Sequence, residues 1–115
     1  MSTLKSYVKG EIISKEGDKA KSLFIIVEGK VGIYKNENKI AEFDKEGTIV
    51  GEMSLILKKP RSATIKAMTD ARLLEISGEI EDIVKQYPDT SKKIIKSLAE
   101  RLAKNTEDYG ITKKI

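Results

Sequence analysis

From Gly10 to Ile76 the apolar residues fall in short runs rich in Ile, Val, Phe and Tyr, punctuated by Gly10, Gly17, Gly29, Gly32, Gly47 and Gly51. Such runs between glycines predict short strands joined by tight turns. The pattern places strands over Glu11–Ser14, Leu23–Glu28, Lys30–Lys35, Lys39–Phe43, Ser62–Ala67 and Ala71–Ile76. Asn36-Glu37-Asn38 predicts a polar hairpin turn, and Met68-Thr69-Asp70 a short polar link. Alternation sorts the faces: Ile25 and Val27 share one side of their strand, Phe24 and Ile26 the other, and Val31 pairs with Ile33.

After Ser77 the period changes. Ile80, Ile83 and Val84 have helical spacing, and Pro88 breaks that helix. Asp89 or Thr90 is the expected cap of a second helix, whose apolar stripe is Ile94, Ile95, Leu98, Ala99, Leu102 and Ala103 and which Gly110 ends. The expected fold is mainly β: a jelly-roll-like β-roll over about residues 8–76, with a short helix inside it and two C-terminal helices over about 77–109. With no internal repeat and no linker, residues 1–115 read as a single domain.

Composition narrows the chemistry. The chain has no Cys and no His, so disulfides, thiol chemistry and zinc sites of the Cys/His type are excluded. The commonest general base is also missing, and an enzyme of the double-sheet jelly-roll type would lack its usual metal ligands, so the chain does not read as an enzyme. The 22 basic and 18 acidic residues are interspersed, and the net charge of +4 is mild. That describes a solvated surface better than a nucleic-acid face. No apolar run approaches the roughly 20 residues of a membrane helix, and Met1–Lys9 carries no signal core. The expected location is cytoplasmic, without membrane or nucleic-acid partners.

The informative stretch runs from Val50 through Gly51, Glu52, Met53 and Ser54 to Pro60, Arg61, Ser62, Ala63 and Thr64. Between two strands it has room for one or two helical turns. Glycine at its start lets the backbone approach a ligand, and the first amides of a helix suit an anion. Arg61, nine residues after Glu52, can reach back over the same cradle and offer a forked, charge-assisted donor to phosphate oxygens. Taken alone, Glu52 and Arg61 would read as a surface ion pair, and Gly51 as a turn residue.

This stretch resembles the phosphate-binding cassette of the cyclic nucleotide-binding domain family. That family includes the regulatory subunits of cyclic-AMP-dependent protein kinase, cyclic-nucleotide-gated channels and the catabolite activator protein. Gly10-Glu11-Ile12-Ile13, Glu16-Gly17-Asp18, Leu23-Phe24-Ile25-Ile26 and Glu28-Gly29-Lys30-Val31 look like its opening strands, and Asp70–Ile76 like its last. The resemblance runs in order over roughly residues 8 to 109.

By that resemblance Glu52 accepts the ribose 2′-hydroxyl and Arg61 holds the exocyclic phosphate oxygens. Ser62 and Ala63 offer amides, Gly51 leaves room for the sugar, and Met53 completes the cassette. Asn105 and Thr106 match the two adjacent hydroxyl residues that contact adenine in the catabolite activator protein, with an amide in the first position instead of a hydroxyl.

The resemblance implies a regulatory module that binds cyclic AMP, with cyclic GMP second, under a C-terminal helical lid, with no metal and no other cofactor. Six residues follow Tyr109, too few for an output domain. The expected partner is therefore an effector protein or a larger parent chain, with the module itself a monomer or weak homodimer. The alternative is a protein-interaction module of the same fold that binds no nucleotide. On the sequence alone, Arg61→Ala is expected to remove binding and leave the fold intact.

Overall fold

The computed structural model describes residues 2–108; within its last helix the side chains at 101, 102 and 104–108 lie outside the description. The elements are β1 (Ser2–Tyr7), β2 (Ile12–Ser14), β3 (Ser22–Glu28), β4 (Val31–Lys35), β5 (Asn38–Phe43), β6 (Ile49–Val50), α1 (Glu52–Leu57), β7 (Thr64–Ala67), β8 (Ala71–Ser77), α2 (Ile80–Gln86) and α3 (Pro88–Asp108). They form two four-stranded antiparallel sheets, in the orders β1-β8-β3-β6 and β2-β7-β4-β5. This is the expected β-roll with its short internal helix and two C-terminal helices.

The alternation in β3 decides how the layers stack. Phe24 and Ile26 point between the sheets, where they meet Val31, Val50, Ile65, Ala67, Ala71 and Leu73. Leu23 points to the opposite side and joins Ile49, Leu55, Ile76, Ile83 and Ile94 beneath the helices. The first sheet is therefore covered on both faces. Each fully buried aliphatic side chain contributes roughly 1.5–3 kcal/mol, so Ile83 and Ile94, with Ile80, Tyr87 and Leu98 packed beside them, hold the helical pair against the roll.

Several boundaries differ from the sequence pattern. β1 is not predicted: it is an edge strand exposed along its length except for half-buried Tyr7, so it carries no apolar alternation. The roll consequently begins at Ser2. The two-residue β6 is too short to leave a period. Ser62 and Ala63 precede β7, which starts at Thr64.

Pro88 does not simply break a helix; it opens α3, where its missing N–H costs nothing. Tyr87 leaves the helical region (φ −129°, ψ 73°), which proline disfavours for the residue before it. Its carbonyl, rather than an Asp89 or Thr90 side chain, receives the Ser91 N–H at 3.0 Å. Only a narrow stripe of α3 touches the roll. Ile94 is buried and Leu98 half-buried, whereas Ile95, a helical step of about 100° away, is 67 % exposed. Ala99 and Ala103 are exposed too.

Candidate functional site

β6 delivers the chain to Gly51, which turns it sharply into α1. Gly51 has φ +81°, a left-handed conformation that side chains disfavour. A Cβ added there would lie 2.9 Å from Arg61 Nη1 and 3.4 Å from Phe24. The glycine thus serves two needs at once, the turn and the space occupied by the guanidinium. The sequence reading assigned that space to a sugar.

Around this turn lies a cavity of about 220 Å³, lined on the polar side by Gly51–Ser54 and Arg61–Ala63. Its other wall is apolar: Ile33 on β4, Ala41 and Phe43 on β5, Val50 on β6 and Ile65 on β7. The fold therefore brings Gly51, Glu52, Met53, Arg61, Ser62 and Ala63 to one cavity. Asn105 and Thr106 fall in the final turns of α3, and their side chains lie outside the described residues. The sequence reading missed Ser54 and the apolar wall. Period-two spacing in β4 and β5 marks Ile33, Ala41 and Phe43 as inward-facing, but nothing local marks them as facing a ligand.

Glu52 and Arg61 are not a surface pair. Glu52 is 1 % exposed and Arg61 5 %. Arg61 Nη1 donates to the Gly51 carbonyl (2.6 Å) and to Ser54 Oγ (3.0 Å), and Nη2 donates to the Ser22 carbonyl (2.7 Å). The guanidinium also lies 5.7 Å from the Phe24 ring centroid, within cation–π range. Burial pushes the Arg61 guanidinium below its usual pKa, while the carboxylates of Glu75, Glu52 and Asp18 favour its charged form. Arginine's intrinsic pKa keeps it a cation throughout. Because these bonds tie β3, β6 and α1 together, Arg61→Ala would strip two carbonyls and a hydroxyl of their donor inside the fold. The expectation of an intact fold in that variant is therefore corrected: it loses stability as well.

The main chain at Arg61 is clamped. Gly17 N–H donates to the Arg61 carbonyl at 2.8 Å, and Arg61 N–H donates to the Asp18 carbonyl at 2.8 Å. A trans peptide points its C=O and N–H in opposite directions, so the bond from Gly17 turns the Ser62 N–H away from the Gly17 loop. On the next peptide, Lys35 Nζ donates to the Ser62 carbonyl at 2.8 Å. Behind Arg61, Ser22 Oγ donates to Glu75 Oε2 at 2.6 Å and Lys5 pairs with Glu75 Oε1 at 2.5 Å. Burial would raise the Glu75 carboxyl, but the bonds from Lys5 and Ser22 outweigh it and hold the group below its usual value.

A cationic fork, a buried carboxylate and an apolar slot within one small cavity suit a ligand with an anionic end, a hydroxylated middle and a flat apolar body. The family model described as "Cyclic nucleotide-binding domain" matches residues 4–87. The chain belongs to the cyclic nucleotide-binding domain family. Among solved structures, the domain is similar to the catabolite activator protein of Thermus thermophilus, at 25% identity and a TM-score of 0.79, covering 94% of this chain and 53% of that one. This chain thus spans about half the length of that protein. It is similar to PKAR CBD2 bound to Sp-2Cl-cAMPS, at 33% identity and a TM-score of 0.63, over 85% of this chain and 72% of that one. It also resembles the cAMP-bound form of the EAL enzyme Bd1971, at 29% identity and a TM-score of 0.64, over 91% of this chain and 30% of that one. Among the described residues, no helix of the domain is long and apolar enough to cross a membrane, and no cluster of acidic residues could hold a metal ion.

Proposed function

We propose that this domain is a regulatory sensor for cyclic AMP, with the cyclic phosphate on Arg61 and the cassette amides and the ribose 2′-hydroxyl on Glu52. The observation that carries this is the convergence of Arg61, Glu52, Ser62 and Ala63 on one cavity with an apolar opposite wall. The three bonds named above occupy three of the five N–H donors of a guanidinium. Donors therefore remain for phosphate while the side chain stays where the fold holds it. Ser62 and Ala63 supply amides, and Met53, 41 % exposed at the rim, covers the sugar.

Cyclic AMP is placed before cyclic GMP on the similarity to PKAR CBD2 bound to Sp-2Cl-cAMPS and to an EAL enzyme in its cAMP-bound form. Asn105 and Thr106 are the proposed contacts to adenine, and the C-terminal helices the lid that carries them.

The domain has no catalysis of its own in this reading. It reports to an effector protein or to further domains of a larger chain, in keeping with its similarity to part of an EAL enzyme in its cAMP-bound form. A cysteine-free composition suits the reducing cytoplasm. A nucleotide-free interaction module is the competing reading, favoured by the purely internal bonds that Arg61 also makes.

Thermal unfolding with each cyclic nucleotide separates the two. A ligand at a hundred times its dissociation constant stabilises by about 2.7 kcal/mol. Cyclic AMP should raise the midpoint by several degrees and cyclic GMP by less; no shift with either favours the competing reading.

A further inference from the structure

Ser54 carries a hydroxyl that the fold leaves half used. It sits inside α1, is 9 % exposed, and lines the cavity. Its Oγ accepts Arg61 Nη1 at 3.0 Å, so one lone pair is committed to the guanidinium. A serine within a helix ordinarily donates its proton to the carbonyl three or four residues earlier. Among the described residues Ser54 Oγ makes neither of these bonds, and the Gly51 carbonyl three back instead accepts Arg61 Nη1 at 2.6 Å. Among the described residues, no acceptor takes the Ser54 proton. A buried donor without an acceptor is costly, and the open space beside Ser54 is the cavity. Accepting a bond from a cation also polarises the hydroxyl and strengthens it as a donor.

We infer that Ser54 is a further ligand-binding residue, donating its hydroxyl proton to an exocyclic oxygen of the cyclic phosphate beside Arg61; this rests on the cyclic-nucleotide reading above. Arg61 and Ser54 then form one unit in which guanidinium N–H meets serine oxygen and serine O–H meets phosphate. The unit takes a singly charged, oxygen-rich tetrahedral group and discriminates between its two exocyclic positions.

The test measures dissociation constants for cyclic AMP and for its two phosphorothioate diastereomers, in which sulfur, a poor acceptor, replaces one exocyclic oxygen or the other. The proteins compared are wild type, Ser54→Ala, Ser54→Cys and Ser54→Thr. Ser54→Ala should bind cyclic AMP roughly tenfold more weakly, and the affinity ratio between the diastereomers should shrink. Ser54→Cys, which keeps the shape but donates weakly, should behave like Ser54→Ala and keeps the test open should the alanine variant fold poorly. Ser54→Thr should recover most of the affinity and the ratio.

A uniform loss for all three ligands, with the ratio unchanged, would assign Ser54 to the scaffold and overturn the inference. Unchanged affinity in Ser54→Ala would overturn it as well, with the nucleotide site itself intact. A wild type that binds none of the ligands overturns the parent reading, and this one with it.

Discussion

Arg61 and Glu52 show what burial does to a pair of opposite charges. Isolated charges inside a protein are costly, and they persist where hydrogen bonds and opposite charges surround them. Arg61 meets that condition through Ser22, Gly51 and Ser54, so its position is fixed before any ligand arrives. Glu52, 1 % exposed at the start of α1, is positioned by the turn at Gly51 and lines the same cavity. A hydrogen bond from a hydroxyl to a charged group contributes roughly 1.5–3 kcal/mol. Wild type should therefore prefer cyclic AMP to its 2′-deoxy form by tenfold or more. Competition binding should show that preference narrowing to a few-fold in Glu52→Gln, and an unchanged preference would remove Glu52 from the ribose. That the two residues come to one cavity was legible in the sequence, because Gly-Glu and Pro-Arg-Ser-Ala stand at cassette spacing. Their burial was not, since spacing records which residues are near and not how deep they lie.

At the scale of elements, α1 joins two compartments. Its Glu52 and Ser54 line the cavity, while Leu55 packs with Ile83 and Ile94 under the helices. Six residues suffice for this only because the entry is sharp, and the sharpness is the left-handed Gly51. Gly51→Ala adds strain at φ +81° and a methyl 2.9 Å from Arg61 Nη1. The expected loss is roughly 1–3 kcal/mol, read from urea unfolding, with weaker cyclic AMP binding in the same variant. A variant as stable as wild type would contradict the turn geometry. The strands with strong alternation or apolar content, β3, β4, β5 and β8, stood out in the sequence. β1 did not, because an edge strand with a solvated face needs no apolar period, and β6 did not, because two residues cannot show one.

For the molecule as a whole, the shared sheet determines how a ligand could be felt at a distance. β3 contributes Phe24 to the inner core beside Arg61, and Leu23 to the cluster beneath α2 and α3. The cavity and the C-terminal helices therefore press on opposite faces of one strand and on one short helix. The architecture was legible from glycine-punctuated runs followed by helical spacing. The depth to which α3 is held was not: Ile95 has the right spacing and the wrong azimuth, and only the position of Ile94 over Leu55 and Ile83 settles which residues touch.

In the proposed function, binding depends on one fixed guanidinium meeting a cyclic phosphate. Calorimetric titration of cyclic AMP into wild type and Arg61→Lys tests this most directly, because lysine keeps the charge and loses the planar fork. One site per chain in wild type, and an affinity at least about tenfold lower in a folded Arg61→Lys, is the predicted result. Equal affinity in the two proteins would contradict it.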